Sequence, residues 1–285
     1  MRDAALQSLA VGFFDGVHLG HQAILKGADA ALTFRNHPLT VLAPEKAPRL
    51  IMSAEERIAV IKACGVKDVT VLEFTPELAS MSAEQFAQEW FLAAKGRKGA
   101  QRIFCGGNWR FGKGGEGNSE WLRTKGIDVK VAPYVEYRGG RISSSRIREC
   151  LERGEIEDAN AMLGRKFKVQ GSRFKGKGLG GGIGYPTINL ELSTLNLELP
   201  LGVYEVDVEG RKAIANYGLA PTMGDKAWRS PVLEIHILHS IPTPSTYTLN
   251  STEIEFVRFI RPEKKFDSID DLKRQIAADC AKITT

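Results

Sequence analysis

The sequence lacks several features that would each assign the chain to a class of protein. It has only four cysteines, Cys64, Cys105, Cys150 and Cys280, and none of them stands in a Cys-x-x-Cys pair. Neither a zinc site of that type nor a disulfide scaffold is expected. No apolar run approaches the roughly 18 residues that a membrane-spanning helix needs. The first residues show no apolar core followed by a cleavage site, so we expect a cytoplasmic protein without a membrane partner.

The overall amino-acid composition is ordinary for a globular protein, with a modest excess of positive charge. The chain has 285 residues, of which 43% are hydrophobic and 26% are charged. This length fits one large domain or two of medium size. The net charge of +5 suits an anionic partner, and both nucleic acids and nucleotides are anionic.

A stretch near the N-terminus predicts a phosphate-binding site. Residues 12–21 read Gly-Phe-Phe-Asp-Gly-Val-His-Leu-Gly-His and lie between an apolar strand at 9–11 and the start of a helix. Glycine lets the backbone approach a ligand closely, and a helix N-terminus attracts anions. His18 and His21 are three residues apart, so both can donate hydrogen bonds to one phosphate group. A structural or metal-binding histidine pair is the alternative.

The rest of the first half alternates strands with helices, which predicts a doubly wound parallel sheet of the Rossmann-like type. The predicted strands lie at 31–34, 69–74, 102–105 and 129–133, and the predicted helices lie at 52–63 and 82–94.

The connection between the first two strands is unusually short. Only ten residues separate His21 from Leu32, whereas a parallel crossover with its helix needs about a dozen or more. We therefore expect that residues are missing from the chain between about 26 and 31.

Three further segments of this half place polar groups where a parallel sheet binds ligands. One follows the strand at 31–34 and ends in His37-Pro38, at the carboxyl end where such ligands lie. Another is a glycine-rich loop at 106–115, for which a surface turn is the alternative. The third opens a helix with serines and arginines, groups that suit phosphate oxygens but also serve as a plain helix cap. The candidate residues are His37, Asn108, Arg110, Ser143, Ser144, Ser145 and Arg146.

The second half begins with a basic, glycine-rich segment. Residues 164–182 contain six Lys or Arg and no acidic residue. A flexible linker is one interpretation, and a flap over nucleotide phosphates is the other. The spacing of a Walker loop is absent, so a P-loop kinase is excluded.

Alternating patterns at 203–208, 233–238 and 253–259 predict strands of a small antiparallel β-barrel, closed by a helix at 269–283. Before them stands Gly-Tyr-Pro-Thr-Ile-Asn at 184–189. Thr187 and Asn189 present oxygen ligands on one side of an extended chain, and such ligands suit Mg²⁺. Glu234 lies in mid-strand, where it points either to solvent or to the barrel interior.

These motifs resemble those of the bacterial bifunctional riboflavin kinase/FAD synthetase family. Residues 12–21 resemble the opening motif of the His-x-Gly-His nucleotidyltransferases, and Ile-Ser-Ser-Ser-Arg-Ile-Arg at 142–148 resembles their second signature. The segment at 184–189 resembles the family's Gly-Phe/Tyr-Pro-Thr-Ala-Asn element. The resemblance implies an FMN adenylyltransferase domain at 1–163 and a riboflavin kinase domain at 164–285. It also implies ATP, riboflavin and FMN as small-molecule partners, FMN and FAD as products, and Mg²⁺ carried with ATP, while the oligomeric state stays open.

The resemblance also implies roles for individual residues. It places Glu234 inside the barrel as the base that takes the proton from a riboflavin hydroxyl, and Thr187 and Asn189 as metal ligands. His18, His21 and Arg146 are the implied catalytic residues of adenylyl transfer. The implied ligand-binding residues are Gly12, Phe13, Phe14, Asp15, Gly20, His37, Asn108, Arg110, Ser143, Ser144, Ser145, Gly171, Lys177, Tyr185, Pro186 and Arg258.

Two rival functions fit parts of the chain. A nucleotidyltransferase with a phosphocholine-type or pantetheine-type acceptor leaves the segment at 184–189 unexplained. A nucleic-acid-binding protein fits a pI near 9 and a small barrel, but the sequence shows no aromatic and basic repeat that would follow a strand. We therefore expect no nucleic-acid partner.

Overall fold

A computed structural model describes residues 8–92, 99–174, 182, 184–192, 198–219, 231–238 and 252–284. The chain forms two compact units, residues 1–144 and 145–285. Lys177 and the other residues at 175–181 of the basic, glycine-rich segment lie outside the described residues, so the flap expected there stays a prediction.

The first unit contains a five-stranded sheet in the order β3-β2-β1-β4-β5, and every neighbouring pair is parallel. The doubly wound fold predicted from the alternation of strands and helices is confirmed. The strands are β1 (Ser8–Val11), β2 (Ala30–Phe34), β3 (Asp68–Leu72), β4 (Arg102–Gly106) and β5 (Asp128–Ala132), and a short hairpin pairs β6 (Glu136–Tyr137) with β7 (Gly140–Arg141). The helices are α1 (Leu19–Leu25), α2 (Leu39–Leu42), α3 (Ala54–Ala63), α4 (Pro76–Ser80), α5 (Ala83–Trp90) and α6 (Ser119–Thr124).

Two helices of this unit begin where their sequences predict. Ser53 and Glu56 form a capping box at the start of α3, and Ser82 and Gln85 form one at the start of α5. In each box a hydroxyl accepts one free N–H group and the longer side chain accepts another, which fixes the first residue of the helix.

The crossover closes with the residues present, and the expectation that residues are missing near 26–31 stays a prediction. Helix α1 ends at Leu25, and β2 begins at Ala30 after one short connection. The strands are only four and five residues long, so a helix of about 10 Å spans the distance back along them. Ser8 closes the connection, because its hydroxyl donates to Asp29 Oδ2 (2.7 Å) and accepts from the Asp29 N–H (2.9 Å).

The second unit contains a closed barrel in the order β10-β11-β12-β9-β8-β13, and every neighbouring pair is antiparallel. The predicted barrel and its final helix are confirmed. The strands are β8 (Phe167–Phe174), β9 (Ile188–Leu192), β10 (Gly202–Val208), β11 (Arg211–Leu219), β12 (Pro231–Ile237) and β13 (Thr252–Pro262). The helices are α7 (Ser144–Glu152), α8 (Ile156–Leu163) and α9 (Ile269–Thr284).

The boundary between the units differs from the one expected near residue 163. Helix α8 and nearly all of α7 belong to the second unit. Asn160 shows why, because its Nδ2 donates to Phe256 O (2.8 Å) and its Oδ1 accepts from the Phe167 N–H (2.7 Å). These bonds tie α8 to β13 and β8. The division of function at residue 163 stays a prediction.

We predict that Gly202→Ala destabilises the barrel by about 2–3 kcal/mol, since overpacking of this kind costs that much. A Cβ at this position would lie 2.4 Å from Arg261 O and 2.6 Å from the Phe259 ring. Hydrogen exchange of the β10 and β13 amides measures the effect. Gly106→Ala is the control, because its Cβ would make only ordinary contacts at 3.5 Å or more. Unchanged exchange in the Gly202 variant would contradict the steric argument.

Candidate functional site

The segment between β1 and α1 has an unusual backbone. Phe14 (φ 59°), Gly16 (φ 77°) and Val17 (φ 38°) all have positive φ. For a β-branched residue such as Val17 this is a strained conformation, and each such residue costs about 1–3 kcal/mol. Strain of this kind persists only where the surroundings enforce it, and it is concentrated at functional sites.

Hydrogen bonds to neighbouring elements hold this segment in place. The buried Asp15 carboxylate accepts the Ile51 N–H, with distances of 3.0 Å to Oδ1 and 3.3 Å to Oδ2. Ser144 Oγ donates to Asp15 O (2.9 Å), and Thr33 Oγ1 donates to Phe13 O (2.9 Å). Asp15 and Ser144 therefore anchor the segment, and the ligand contacts expected of them stay predictions.

Two glycines of the motif make room for rings. A Cβ on Gly12 would lie 2.8 Å from the Phe14 ring, and a Cβ on Gly20 would lie 3.1 Å from the His18 ring. Contacts this short force neighbouring atoms to move. The glycines at 12 and 20 are therefore needed for the packing of the motif itself, in addition to any approach of a ligand.

The two histidines of the motif are stacked on each other. Their ring centroids are 3.6 Å apart with an angle of 17° between the planes, and the Phe14 ring packs edge-on against His21 at 5.4 Å. His18 caps α1, because its Nδ1 accepts the His21 N–H (3.2 Å). In a neutral His18 ring the proton is therefore on Nε2, which can donate. The structure thus brings together the pair that the sequence predicts.

The surroundings of His21 oppose its protonation. Burial lowers its pKa well below the usual value, and His18, Arg141 and Arg57 lower it further. Its Nδ1 is buried without a hydrogen-bond partner among the described residues. Two cationic imidazoles in a stack would repel each other, which is how His18 opposes a proton on His21.

The second wall of this site lies at the end of β2. The Phe13 ring packs edge-on against His37 at 4.8 Å, and His37 Nδ1 accepts the Leu39 N–H (3.1 Å). This contact places His37 beside the motif, at the carboxyl edge of the sheet, as expected from its position before Pro38.

The glycine-rich loop after β4 has exposed polar groups and a packed aromatic ring. Asn108 and Arg110 are exposed, and Arg141 Nη2 lies 3.5 Å from Asn108 Oδ1. The Trp109 ring stacks on Phe111 at 4.9 Å, so one of its two faces is already covered. The loop's role in binding the second substrate stays a prediction.

Helix α7 begins at Ser144, and the two units meet in sequence at this point. Ser143 and Ser144 belong to the first unit, whereas Ser145 and Arg146 belong to the second. The roles predicted for Ser143, Ser145 and Arg146 in phosphate binding stay predictions.

The second unit contains an open cavity of about 620 Å³. Strand residues of the barrel form one wall, and the segment after β13 together with α9 forms the other. The lining residues from the barrel and the segment just before β9 include Tyr185, Thr187, Asn216, Glu234, His236 and Arg261, and those from the C-terminal segment include Glu263, Lys264, Lys265, Phe266, Leu272, Ile276 and Asp279.

Glu234 faces this cavity, but from the outer side of the barrel. Leu233 and Ile235, its neighbours in β12, are fully buried, while Glu234 is exposed to the cavity. Because successive strand residues point to opposite faces, the carboxylate lies on the face away from the barrel interior. The expected inward orientation is wrong, since the interior is filled by apolar side chains. Burial by the surrounding protein still raises the pKa of Glu234.

Strand register places three polar side chains beside one another. Asn189 pairs with Glu234 across β9 and β12, and Asn216 pairs with Glu234 across β11 and β12. Side chains of directly paired residues point to the same face. Thr187, two residues before Asn189, lines the same cavity. The predicted metal ligands and the predicted base therefore share one surface.

The donor atoms at this surface fit Mg²⁺, because Thr187 and Asn189 offer the neutral oxygen atoms that a hard cation accepts. Among the described residues, no group of three or more His, Cys, Asp or Glu side chains is placed to hold a metal ion. The oxygen set therefore suits an ion that arrives with phosphate ligands of its own.

The other residues predicted to bind ligands in this unit differ in their distance from the cavity, because some lie at it and others lie elsewhere. Tyr185 lines it, and Pro186 O lies 2.9 Å from His236 Nδ1. Gly171 is in β8, where it pairs with Leu192. Arg258 lies outside the cavity lining and is engaged elsewhere, because its Nε donates to Glu205 Oε2 (2.6 Å) and its Nη2 to Lys282 O (2.5 Å).

Sequence reasoning missed most of the residues that line the cavity, and two of them have polar groups that bear on its chemistry. Arg261, three residues after Arg258, lines it and pairs with the buried Asp279 (2.7 Å). His236 lies two residues after Glu234, and the period of a strand puts both on one face. That period is the signal that could have identified His236.

The first unit has a histidine pair at the edge of a doubly wound sheet, and the second has an acidic residue beside oxygen ligands on a barrel. Together these features define a class of protein with two separate phosphate-handling sites.

In the part of the chain that the structure describes, no helix is both long enough and apolar enough to cross a membrane.

Comparisons with known proteins assign the family. The FAD synthetase family model matches residues 2–146, and the riboflavin kinase family model matches residues 163–285. The chain is 31% identical to the bifunctional riboflavin kinase/FMN adenylyltransferase of Bacillus subtilis, over 97% of this chain and 91% of the relative. It is 32% identical to that of Escherichia coli K12, over 95% and 90%. The chain belongs to the bifunctional riboflavin kinase/FMN adenylyltransferase family.

One solved structure resembles the whole chain. A crystal structure described as a macrolide-efflux protein from Streptococcus pneumoniae superposes with a TM-score of 0.84 and 27% identity, and covers 99% of this chain and 94% of the other. The description of that structure names an activity different from those in the names of the family models. Its fold agrees with the fold of this chain.

We predict that His18→Ala destabilises the first unit by about 1 kcal/mol, because α1 loses the acceptor at its N-cap. His18→Asn keeps an acceptor at the same position and should recover most of the loss. Urea unfolding followed by tryptophan fluorescence compares the two variants with the wild type. An equal loss in both variants would show that the cap is not the stabilising contact.

Proposed function

We propose that this chain phosphorylates riboflavin with ATP to give FMN and adenylylates FMN with a second ATP to give FAD. The proposal depends above all on the presence of two chemically different sites, one in each unit. The stacked histidines suit transfer of a nucleotidyl group, and the cavity beside Glu234 suits transfer of a phosphoryl group to a hydroxyl. Family membership supports both assignments.

In the first unit, a phosphate oxygen of FMN attacks the α-phosphorus of ATP. A new P–O bond forms, the bond from the α-phosphorus to the bridging oxygen breaks, and pyrophosphate leaves. The reaction needs no covalent intermediate with the protein, so positioning and charge stabilisation are the main contributions. His18 Nε2–H and the His21 ring donate to the phosphate oxygens as negative charge develops there, and Arg146 assists.

The remaining predicted residues of the first site bind and orient the two substrates. Gly12, Phe13, Gly20 and His37 lie around the ATP, and the buried Phe14 supports the His21 ring. The loop with Asn108 and Arg110 receives FMN. Asp15, Ser143, Ser144 and Ser145 support the phosphate-binding backbone.

In the second unit, Glu234 takes the proton from a riboflavin hydroxyl while the hydroxyl oxygen attacks the γ-phosphorus of ATP. The bond from the γ-phosphorus to the bridging oxygen breaks, and ADP leaves. The raised pKa of Glu234 brings this base closer to the pH at which a general base is most efficient. The mixed apolar and polar lining of the cavity, with Phe266 and Leu272 in its C-terminal wall, suits a flat ring system.

Thr187 and Asn189 would hold Mg²⁺ in this unit, where the ion neutralises charge on the phosphate oxygens. Tyr185 and Pro186 complete the binding surface for ATP and riboflavin, and the binding roles expected of Gly171 and Lys177 stay predictions. Arg258 acts through the fold, by joining β13 to the end of α9, rather than by contact with a ligand.

We also propose that the enzyme works in the cytoplasm and has no nucleic-acid partner, as the sequence led us to expect. A nucleotidyltransferase with a different acceptor would not need the Thr187, Asn189 and Glu234 surface on the barrel. Incubation with riboflavin, ATP and Mg²⁺, followed by chromatography of the flavins, tests the whole proposal.

We predict that variants of the two sites separate the two activities. His21→Ala should lower FAD formation by about a hundredfold or more, because it removes a donor to the developing charge, and should leave riboflavin phosphorylation unchanged. Glu234→Gln should lower riboflavin phosphorylation by about a hundredfold or more through loss of the base, and should leave adenylylation of supplied FMN unchanged. Loss of both activities in either folded variant would refute the division of labour.

We predict that riboflavin phosphorylation is lost as the pH falls through the raised pKa of Glu234. The ionised carboxylate is the active form, so the acidic limb of kcat/KM should lie above the ordinary glutamate value of 4.5. A pH profile of the wild type measures the limb. Glu234→Gln cannot titrate at this position, so it should retain a low activity whose pH profile lacks the acidic limb. If the limb persisted in that variant, another group would be the base.

A further inference from the structure

A fully buried arginine lies behind the first site. Arg57 is on α3 and has no exposed surface. Its guanidinium carbon lies 4.2 Å from the centre of the Phe13 ring. Its Nη2 donates to Phe34 O (2.5 Å) and to Arg35 O (3.1 Å).

The surroundings of Arg57 compensate its positive charge only in part. Among the described residues it forms no ion pair, and its Nε and Nη1 are buried without hydrogen-bond partners. Burial lowers its pKa and Arg35 lowers it further, whereas Asp15 and Glu55 raise it. The Asp15 carboxylate is bonded to the Ile51 N–H, and Glu55 forms its ion pair with Arg35. A buried charge of this kind costs free energy that an apolar side chain of the same length would not. Stability alone therefore does not explain an arginine here.

The contacts of Arg57 join the two walls of the first site. Phe13 belongs to the loop that follows β1, and Phe34 and Arg35 are at the end of β2. The same Phe13 ring packs against His37, which follows β2. One guanidinium thus fixes the distance between the histidine motif and the segment that carries His37.

The charge of Arg57 also acts on the histidines. The groups that act on His21 are His18 in the same loop, Arg141 in β7 and Arg57 in α3, and all three disfavour a second positive charge. Asp15, in the loop itself, acts on Arg57. Because Arg57 cannot leave its place, its positive charge is permanent at the back of the site.

We propose that Arg57 is a positioning residue for adenylyl transfer, which holds the Phe13 loop and the His37 segment together and provides a fixed positive charge behind the histidine pair. This inference rests on the function proposed for the first unit. The residue acts through its neighbours, because a fully buried side chain does not touch the substrate.

The test compares Arg57→Met, which removes the charge and the donors, with Arg57→Lys, which keeps the charge and loses the planar fork. Lys62→Met is the matched control, because it removes an exposed charge from the same helix. Arg57→Met should lower kcat/KM for FAD formation about 10-fold to 100-fold, the scale of a small misplacement of reacting groups. Riboflavin phosphorylation should change less than twofold and serves as an internal measure of folded enzyme.

Comparison of the two variants separates the effect of the guanidinium geometry from the effect of the positive charge. Arg57→Lys should raise KM for ATP at least threefold, because the lysine cannot bridge both carbonyl groups and stack on Phe13. NMR titration of the His21 ring should show a higher pKa in Arg57→Met than in the wild type, and little change in Arg57→Lys. A residue that serves stability alone would leave the His21 titration unmoved.

Several outcomes would overturn the inference. FAD formation by Arg57→Met at the wild-type rate would do so, as would an unchanged His21 titration in that variant. If Arg57→Met does not fold, Arg57→Lys decides, and a wild-type KM for ATP in that variant overturns the positioning role. Failure of the wild type itself to form FAD would instead refute the proposed function of the first unit.

Discussion

The first site depends on how one buried carboxylate is held. Asp15 accepts the Ile51 N–H, and its own carbonyl oxygen accepts from Ser144. These bonds secure a loop in which Phe14 and Val17 have positive φ, at a cost of about 1–3 kcal/mol each. If the loop relaxed, the Phe14 ring would leave the edge of His21, and the stack of His21 on His18 would lose its support. The chemistry of the histidines therefore follows from contacts made several residues away.

The strands that carry the second site, as far as the structure describes them, show no comparable backbone strain. Asn189, Glu234 and Asn216 lie side by side because three antiparallel strands are in register. A regular sheet fixes the direction of each side chain to one face, so a base and oxygen ligands can be arranged without unusual backbone. The difference matches the proposed chemistry, because the first site must bring backbone close to phosphate groups, while the second must place side chains around a hydroxyl.

Local rules of sequence predicted much of this structure. The predictions that did not match it have physical explanations. The capping boxes at Ser53 and Ser82 depend on a few adjacent residues, so the starts of α3 and α5 were predictable. The short crossover was not expected, because its length depends on the lengths of β1 and β2, which the pattern alone did not fix. Glu234 was assigned to the wrong face because alternation separates two faces without showing which one a barrel encloses. Arg57 gave no signal, since nothing local distinguishes a buried arginine on a helix from an exposed one.

The state of the histidine pair suggests how the first site can attract an anion without carrying a large charge when empty. The stacked rings, Arg141 and Arg57 all disfavour a proton on His21. A bound phosphate group reverses this balance, because a nearby negative charge stabilises the imidazolium form and raises its pKa. Proton uptake would then accompany ATP binding, and the added positive charge would appear only when negative charge is present to receive it. By linkage, ATP should bind more tightly as the pH falls through the pKa of the occupied site toward the lower pKa of His21 in the free protein.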